Sequence, residues 1–164
     1  NYALFPPERK ALFEPIHNDY KGALARAKAE NKPVLIDFTG WACVNCRRME
    51  ENIWPDKIVD SLMRNEFIVV SLYVDEKNNL PINEQTVETL SNKEEKSIVS
   101  IGDKWSTFQT ENFKATSQPQ YAIISPDQIA ITKTKYYTTD AEEFIDWLKC
   151  GLEAFHSENK SPAK

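Results

Sequence analysis

Two cysteines at the spacing Cys-X-X-Cys are the residues of this sequence best suited to chemistry. Val44 and Asn45 separate Cys43 from Cys46, and good helix formers follow from Arg47 onward. A thiolate at the start of a helix is stabilised by free backbone N–H groups and by the helix dipole. We therefore predict that Cys43 attacks a disulfide sulfur, and that the better shielded Cys46, one turn further on, resolves the mixed disulfide.

Two acidic residues stand where they could tune this pair. Asp37 interrupts the apolar run of residues 34–38, six positions before Cys43, so we expect a buried carboxylate with a raised pKa. It would accept the proton of Cys46 during exchange, unless it is a strand-end carboxylate turned to solvent. Glu50 shares a helix face with the pair and could raise the pKa of the thiols; a solvated helix carboxylate is the competing interpretation.

These side chains need elements that hold them together, and the sequence predicts an alternation of helices and strands. Helices are predicted over residues 18–31, after Cys46, and over 56–65, 102–113 and 139–155, the last beginning at a capping box of residues 139–142. Strands are predicted at 34–38, 67–74, 121–124 and 129–137, the last as an edge strand. This order indicates an α/β fold with a central mixed β-sheet flanked by helices.

The chain of 164 residues is expected to form one domain with its own hydrophobic core. We assign residues 1–17 to an N-terminal arm, 18–155 to the α/β domain, and the polar residues 156–164 to a disordered tail. An insertion is expected around residues 76–117, because its first part, 76–100, is polar and reads as a surface loop.

Composition narrows the possible partners. Hydrophobic residues at 41% and charged residues at 27% are ordinary for a globular protein, and the net charge of −5 argues against a nucleic-acid partner. The longest apolar runs are too short to span a membrane. Because the chain begins at Asn1 without Met, we expect a processed or trimmed protein, which leaves room for a membrane domain upstream. A monomer is expected.

The segment of residues 34–47 resembles the active-site segment of the thioredoxin family, including the interval from Asp37 to Cys43. The residues that follow are more similar to the C-terminal periplasmic domain of the DsbD thiol:disulfide interchange proteins and their envelope relatives: Arg48, Met49, Glu50, Trp54, Asp56 and Val59. The likeness extends over residues 18–155 and is strongest at 34–75 and 118–125.

This resemblance implies a thioredoxin fold in which Cys43 is the nucleophile and Cys46 the resolving thiol, tuned by Asp37 and Glu50. It implies a reductase that passes electrons through this dithiol to protein disulfides in the periplasm or cell envelope of a Gram-negative bacterium. The electron donor would be membrane-embedded, this domain would stand alone or belong to a membrane protein, and no cofactor is expected besides the redox-active disulfide.

The resemblance also implies a substrate-binding surface. Gln118-Pro119 matches the cis-proline loop that faces the disulfide in the family, although without the resemblance Pro119 would read as an ordinary trans proline. Trp41 and Ala42 precede the cysteines and would border the substrate, with core packing as the alternative for Trp41. Ala42 is a departure, since thioredoxin itself has Trp before the first cysteine, and it has Gly-Pro where this chain has Val44-Asn45.

Two other functions remain open. The chain could be a thioredoxin-fold binding module without catalysis, or Cys43 and Cys46 could form half of a zinc site completed by Cys150, His17 or His156. The sequence contains no second Cys-X-X-Cys and no Cys-X-X-His to support the zinc site. Cys150 is expected to be a free, partly buried structural thiol, with a regulatory thiol as the alternative. Both histidines are expected at the surface.

Overall fold

The computed structural model describes residues 13–160, which form five helices and six strands. The helices are α1 (Tyr20–Glu30), α2 (Val44–Arg48), α3 (Lys57–Asn65), α4 (Ile101–Phe113) and α5 (Ala141–Lys160). The strands are β1 (Ile16–His17), β2 (Val34–Thr39), β3 (Ile68–Tyr73), β4 (Thr86–Thr89), β5 (Glu95–Ile98) and β6 (Gln120–Ile124). A π-helical turn, Met49–Ile53, continues α2, and a 3₁₀ helix spans Ile82–Glu84.

The central sheet has the strand order β1-β3-β2-β6. The first three strands are parallel and β6 is antiparallel to β2, which confirms the predicted mixed sheet. β2 and β3 are apolar almost throughout because both of their faces are covered. Their register sets Asp37 opposite Ser71 on one side and opposite Tyr121 of β6 on the other.

Two hydrophobic cores lie on the two faces of this sheet, because successive strand side chains point in opposite directions. One core joins the sheet to the π-helical turn, α3 and α5, and includes Leu35, Met49, Val69, Tyr121 and Phe144. The other joins it to α1 and α4, and includes Ile36, Phe38, Val70 and Trp105. Asp37 shares the face of Leu35, so its carboxyl lies on the side of the sheet that carries the helix after the cysteines.

Capping side chains define several helix ends. Asp56 begins α3 by accepting hydrogen bonds from the N–H groups of Ile58 and Val59. Ser100 and Asp103 form a reciprocal capping box at the start of α4, a feature that the sequence analysis did not single out. The capping box predicted at residues 139–142 is wrong, since the Asp140 carboxylate accepts the hydrogen bond from the N–H of Glu142 instead.

The edge strand predicted at residues 129–137 is also wrong. This segment runs beside β6 but makes only isolated bridges to it, Tyr121 with Lys135 and Ile124 with Ala130. The ladder is interrupted at Lys133, whose carbonyl accepts a hydrogen bond from the indole Nε1 of Trp147 in α5. A side-chain donor thus takes the place of a strand partner at this point.

The predicted insertion is shorter and more regular than expected. Residues 76–100 contain the 3₁₀ helix and the β4–β5 hairpin rather than a loop, and every residue of β4 is exposed. α4, predicted as a helix over 102–113, belongs to the main frame because Trp105 lies in the core beside α1. The insertion therefore ends at residue 100 and not at 117.

The predicted ends of the domain need two corrections. Residues 16–17 of the expected arm form β1, which pairs with β3. Residues 156–160 of the expected tail continue α5 as a helix. The remainder of both predictions, residues 1–12 and 161–164, lies outside the described residues. Within 13–160, no helix is long and apolar enough to cross a lipid bilayer.

Candidate active site

Cys43 and Cys46 form a disulfide whose Cα atoms are 5.2 Å apart. Cys43 caps α2, and its Sγ accepts a hydrogen bond of 3.1 Å from the backbone N–H of Cys46. Cys46 is buried, with 1% of its surface exposed, whereas Cys43 is partly accessible. The outer sulfur can therefore be reached by a partner, and the same N–H and helix dipole would stabilise a Cys43 thiolate once the disulfide is reduced.

Asp37 lies beneath this helix as a buried carboxyl group. Only 1% of its surface is exposed, and the hydroxyl of Ser71 donates a hydrogen bond of 2.7 Å to its Oδ2. Burial raises the pKa of Asp37 to about 7, although the hydrogen bond from Ser71 opposes that rise. The predicted burial and raised pKa are confirmed, and its role as a proton acceptor stays a prediction.

Arg47 connects Glu50 to the strand end and the loop that precede the cysteines. Its Nη2 donates to Glu50 Oε2 (2.9 Å) and to Thr39 Oγ1 (3.1 Å), and its Nη1 donates to the carbonyl of Trp41 (3.4 Å). Glu50 is half-buried, so it is not a solvated helix carboxylate. Burial raises the pKa of Glu50 although the charge of Arg47 lowers it.

The charges of these side chains act on one another. The negative charge of Glu50 raises the pKa of Asp37, and the positive charge of Arg47 lowers it. Asp37, Glu50 and Arg47 therefore form one electrostatic unit behind the disulfide. Arg47 and Ser71 were not predicted from the sequence as residues of the site. The signal for Ser71 was the same as for Asp37, a polar residue within an apolar strand.

The loop before Cys43 is held by Asp75, another residue that the sequence analysis missed. Its carboxylate accepts hydrogen bonds from the N–H groups of Trp41 (2.9 Å) and Ala42 (3.2 Å). The Trp41 side chain is 52% exposed and stacks on Tyr73, with the ring centroids 4.1 Å apart. The core-packing alternative for Trp41 is therefore wrong, and its ring forms an exposed rim beside the disulfide.

The Gln118–Pro119 peptide bond is cis, as the resemblance implies. β6 begins one residue later with Gln120 opposite Phe38, which places this loop at the end of β2 from which the cysteine loop departs. A chain of side-chain amides fixes it, since Gln118 donates to Gln109 of α4 and Gln109 donates to Gln120, both at 2.9 Å. The structure thus brings the loop and the cysteine pair to the same edge of the sheet.

The remaining cysteine and the histidines lie apart from this centre or at its border. Cys150 is free and exposed on α5, so the expectation of a partly buried thiol is wrong. Both histidines are exposed, as predicted: His156 lies on the same helix, and His17 packs one side of its ring against Tyr73 with the centroids 4.6 Å apart. Among residues 13–160, no group of three or more His, Cys, Asp or Glu side chains is arranged to hold a metal ion.

A sheet of this order, with a Cys-X-X-Cys disulfide at the start of a helix, defines a thioredoxin-fold protein with a redox-type centre. The chain matches the thioredoxin-like family over residues 15–97, just over half of its length, and it belongs to that family. No curated protein matches the chain. The resemblance found in the sequence is thereby confirmed at the level of family and fold.

Solved structures with the same fold include several disulfide-handling proteins. A putative disulphide-isomerase from Bacteroides thetaiotaomicron has a TM-score of 0.62 and 16% identity, with 89% of this chain and 98% of that chain covered. DsbH oxidoreductase has a TM-score of 0.59 and 16% identity, with 91% of this chain and 92% of that chain covered. The Neisseria meningitidis DsbD C-terminal domain in the reduced form has a TM-score of 0.53 and 15% identity, with 82% of this chain and 97% of that chain covered. At these identities the likeness shows the shared fold.

Proposed function

We propose that this protein is a thiol–disulfide oxidoreductase that acts as a reductase on disulfides of cell-envelope proteins. The observation that carries the proposal is the Cys43–Cys46 disulfide at the start of a helix, in which Cys43 is partly accessible and Cys46 is buried. The buried Asp37 carboxyl lies beneath this helix. Membership of the thioredoxin-like family supports the chemistry. The DsbD-like residues at 48–59 support the reductase direction and the envelope location, and the DsbD and DsbH structures share the fold.

The first step requires the reduced form of the pair. The Cys43 thiolate attacks one sulfur of the partner's disulfide, so that bond breaks and a mixed disulfide forms between Cys43 and the partner. The partner's other sulfur leaves as a thiolate and takes a proton from solvent. The N–H of Cys46 points at the Cys43 sulfur and favours the thiolate that starts this step.

The second step releases the partner and uses the buried carboxyl. Asp37 in its ionised form takes the proton of the Cys46 thiol, and the resulting thiolate attacks Cys43 Sγ. The mixed disulfide breaks, the partner's second sulfur leaves as a thiolate that takes a proton from solvent, and the Cys43–Cys46 disulfide forms; Asp37 then releases its proton to solvent. A pKa of about 7 suits Asp37 to this task, because it can gain and lose a proton near neutral pH.

The cycle closes when a dithiol donor reduces the disulfide again. We propose a membrane-embedded donor, on the basis of the DsbD-like sequence, and no cofactor besides the cysteine pair itself. Trp41 and Ala42 on one side and the Gln118-Pro119 loop on the other would border the partner's disulfide, since they lie at the same edge of the sheet as Cys43.

Turnover of insulin disulfides with dithiothreitol as the electron source tests the activity. The protein should accelerate reduction, and the Cys43→Ser variant should lose this activity. Reduced Cys46→Ser, freed of dithiothreitol and mixed with insulin, should accumulate a covalent complex with the partner through Cys43. All variants should carry Cys150→Ala, since that exposed thiol could form unrelated mixed disulfides. If the unmutated pair does not accelerate reduction, the non-catalytic binding module becomes the better interpretation.

The direction of electron flow is tested by the reduction potential of the pair, measured by equilibration with glutathione. A reductase should lie close to thioredoxin, at about −270 mV, rather than near the strong oxidant DsbA at about −120 mV. A value at the oxidising end of this range would contradict the reductase direction and leave the oxidoreductase assignment in place.

A further inference from the structure

A cavity of about 520 Å³ lies between the start of α1, one face of α4 and the insertion of residues 76–100. The 3₁₀ helix and the β4–β5 hairpin form the wall opposite α4, contributing Glu84 and Glu88. The cavity exists because the insertion is held against α4: Glu111 accepts hydrogen bonds from the N–H and hydroxyl of Ser91, and Lys96 donates to Ser106. It is large enough for one or two amino-acid side chains of a partner.

The α4 side of the cavity is an aromatic wall that can accept a cation. Phe108 stands 5.0 Å from the ring of Tyr20 and 6.0 Å from that of Trp105, measured between centroids. The ammonium group of Lys104 already lies 4.8 Å from the centre of the Trp105 ring. Trp105 is buried and already covered by Lys104, but Tyr20 and Phe108 are partly exposed in the lining. A positive charge over an aromatic face is a favourable contact, so these two rings suit a Lys or Arg side chain of a ligand.

The insertion side supplies carboxylates that have no partner. Glu84 and Glu88 both line the cavity and are exposed, and within residues 13–160 their side chains make no hydrogen bond or ion pair. The other two carboxylates of the lining are engaged, since Asp19 caps α1 and Glu111 binds Ser91. Lys21 and Lys104 also line the cavity, so its four carboxylates leave a net negative charge, and the two carboxylates without a partner lie on the insertion.

Apolar side chains accompany these carboxylates. Leu80 and Ile101 line the cavity. Ile82, which is 87% exposed, lies two residues before Glu84, and Val87, which is 59% exposed, directly precedes Glu88. In the described structure β4 pairs with β5 alone, so its other edge is free to receive an extended segment. A partner segment that carries basic and apolar residues would match both features.

The cavity lies beside the candidate active site. His17 lines the cavity, and its ring centroid stands 5.5 Å from that of Trp41, two residues before Cys43. Glu76, where the insertion begins, accepts a hydrogen bond of 3.4 Å from the Trp41 indole. A protein whose disulfide reaches Cys43 could therefore extend past Trp41 into the cavity.

We infer that this cavity binds a basic, partly apolar segment of the same protein whose disulfide Cys43 attacks, with a Lys or Arg side chain held between the aromatic wall and the two glutamates. The inference rests on the proposed function, because it identifies the class of substrate that the oxidoreductase prefers. It assigns the insertion a role in substrate recognition.

The test uses synthetic peptides that contain one intramolecular disulfide and a Lys-Leu-Lys, Gln-Leu-Gln or Glu-Leu-Glu segment, placed about two to eight residues from the nearer cysteine. The kcat/KM of reduction should be about three- to tenfold higher for the Lys peptide than for the Gln peptide, at one preferred placement. In the Glu84→Gln/Glu88→Gln variant this ratio should fall toward one. The Glu153→Gln/Glu158→Gln variant on α5, with the same change in net charge, should keep the wild-type ratio.

Binding of the fluorescently labelled peptides to the oxidised protein, measured by anisotropy, separates this inference from the proposed function. If no peptide is reduced, but the Lys peptide binds more tightly than the Gln peptide and this difference depends on Glu84 and Glu88, then the inference about the cavity is supported and the catalytic proposal fails. The inference is overturned if the Lys peptide is preferred equally by the Glu84→Gln/Glu88→Gln and Glu153→Gln/Glu158→Gln variants. It is also overturned if the preference does not depend on where the Lys-Leu-Lys segment is placed. In either case only the general negative charge of the protein is acting. Equal binding of the Lys and Gln peptides would overturn it as well.

Discussion

Asp37 occupies a face of β2 where its neighbours in the core are apolar, so ionisation of its carboxyl costs free energy in the folded protein. Its pKa of about 7 in the folded protein compares with about 3.9 for an unfolded chain. Between these two values the folded state binds the proton and the unfolded state does not. The free energy of unfolding therefore falls as the pH rises from about 4 to about 7, and the loss is complete above that range.

The first prediction concerns this pH dependence. The difference between the two pKa values corresponds to on the order of 4 kcal/mol in the free energy of unfolding, which the wild type loses as the pH rises. The Asp37→Asn variant has no carboxyl at this position and should not show this loss. Asp37→Asn should therefore be more stable than the wild type near pH 8, with the advantage shrinking near pH 4. Denaturant unfolding of the oxidised proteins across this range measures the effect.

The exposed Asp146 on α5 provides the matched control, because Asp146→Asn removes a carboxylate without removing a buried charge. Its unfolding curve should follow that of the wild type at each pH. Starting from the mixed disulfide at Cys43, Asp37→Asn should also slow release of the partner at neutral pH by more than about tenfold. Parallel pH profiles for Asp37→Asn and the wild type would contradict the burial argument.

The sequence could identify the cysteines and Asp37 because each is marked by local pattern, a motif or a carboxylate inside an apolar run. It could not identify Arg47, whose function depends on the side chain folding back to Thr39 and Trp41. That geometry needs three separate segments, the end of β2, the loop and α2, to be in place. Residues with tertiary roles of this kind carry no local signal.

At the scale of elements, Arg47 joins the start of the active-site helix to the strand that precedes it. Its guanidinium bonds Glu50, Thr39 and the Trp41 carbonyl, and its charge lowers the pKa of Asp37 and of Glu50. The second prediction is that Arg47→Met raises the pKa of Asp37, so release of the mixed disulfide requires a higher pH. Single-turnover kinetics as a function of pH measure the midpoint.

Arg47→Lys provides the control for this prediction, because it keeps the positive charge but not the three-way hydrogen bonding. Its midpoint should lie between those of the wild type and Arg47→Met. If Arg47→Met lowers the rate equally at every pH, then Arg47 acts only by holding the loop in place. A midpoint that stays at the wild-type value would thus contradict the electrostatic role.

The elements that the sequence predicted well are those whose packing is uniform. β2 and β3 are apolar because both faces are covered, and their extents agree closely with the predicted runs. Residues 129–137 satisfied the strand pattern, but Trp147 takes the carbonyl of Lys133 and breaks the ladder. The β4–β5 hairpin was missed because β4 is exposed on every residue and leaves no hydrophobic alternation to detect.

For the molecule as a whole, the insertion is an addition to a complete frame. Among the described residues, neither hydrophobic core contains a residue between 75 and 100. The ends of the insertion are close together, since the N–H of Gly102 bonds the carbonyl of Glu76 and the N–H of Leu80 bonds the carbonyl of Val99. The frame that positions the cysteine pair should therefore fold without the hairpin.

The third prediction follows from this separation. Replacing residues 81–98 by Asn-Gly joins Leu80 to Val99 through a two-residue turn suited to paired strands. The variant should unfold cooperatively, reduce insulin and keep the reduction potential of the wild type, because Asp37, Arg47 and Glu50 are untouched. Loss of the buried Ile98 should lower the free energy of unfolding by about 1–3 kcal/mol.

The same variant should lose the preference for the Lys peptide, since Glu84 and Glu88 leave with the hairpin. Comparison with the Glu84→Gln/Glu88→Gln variant then separates the effect of charge from that of shape. If both variants lose the same amount of the preference, the carboxylates account for recognition. If the shortened chain loses more, the apolar residues of the hairpin contribute as well. A shortened chain that cannot fold would contradict the independence of the frame. A folded one that retains the preference would place recognition on the α1 and α4 walls, where Tyr20 and Phe108 lie.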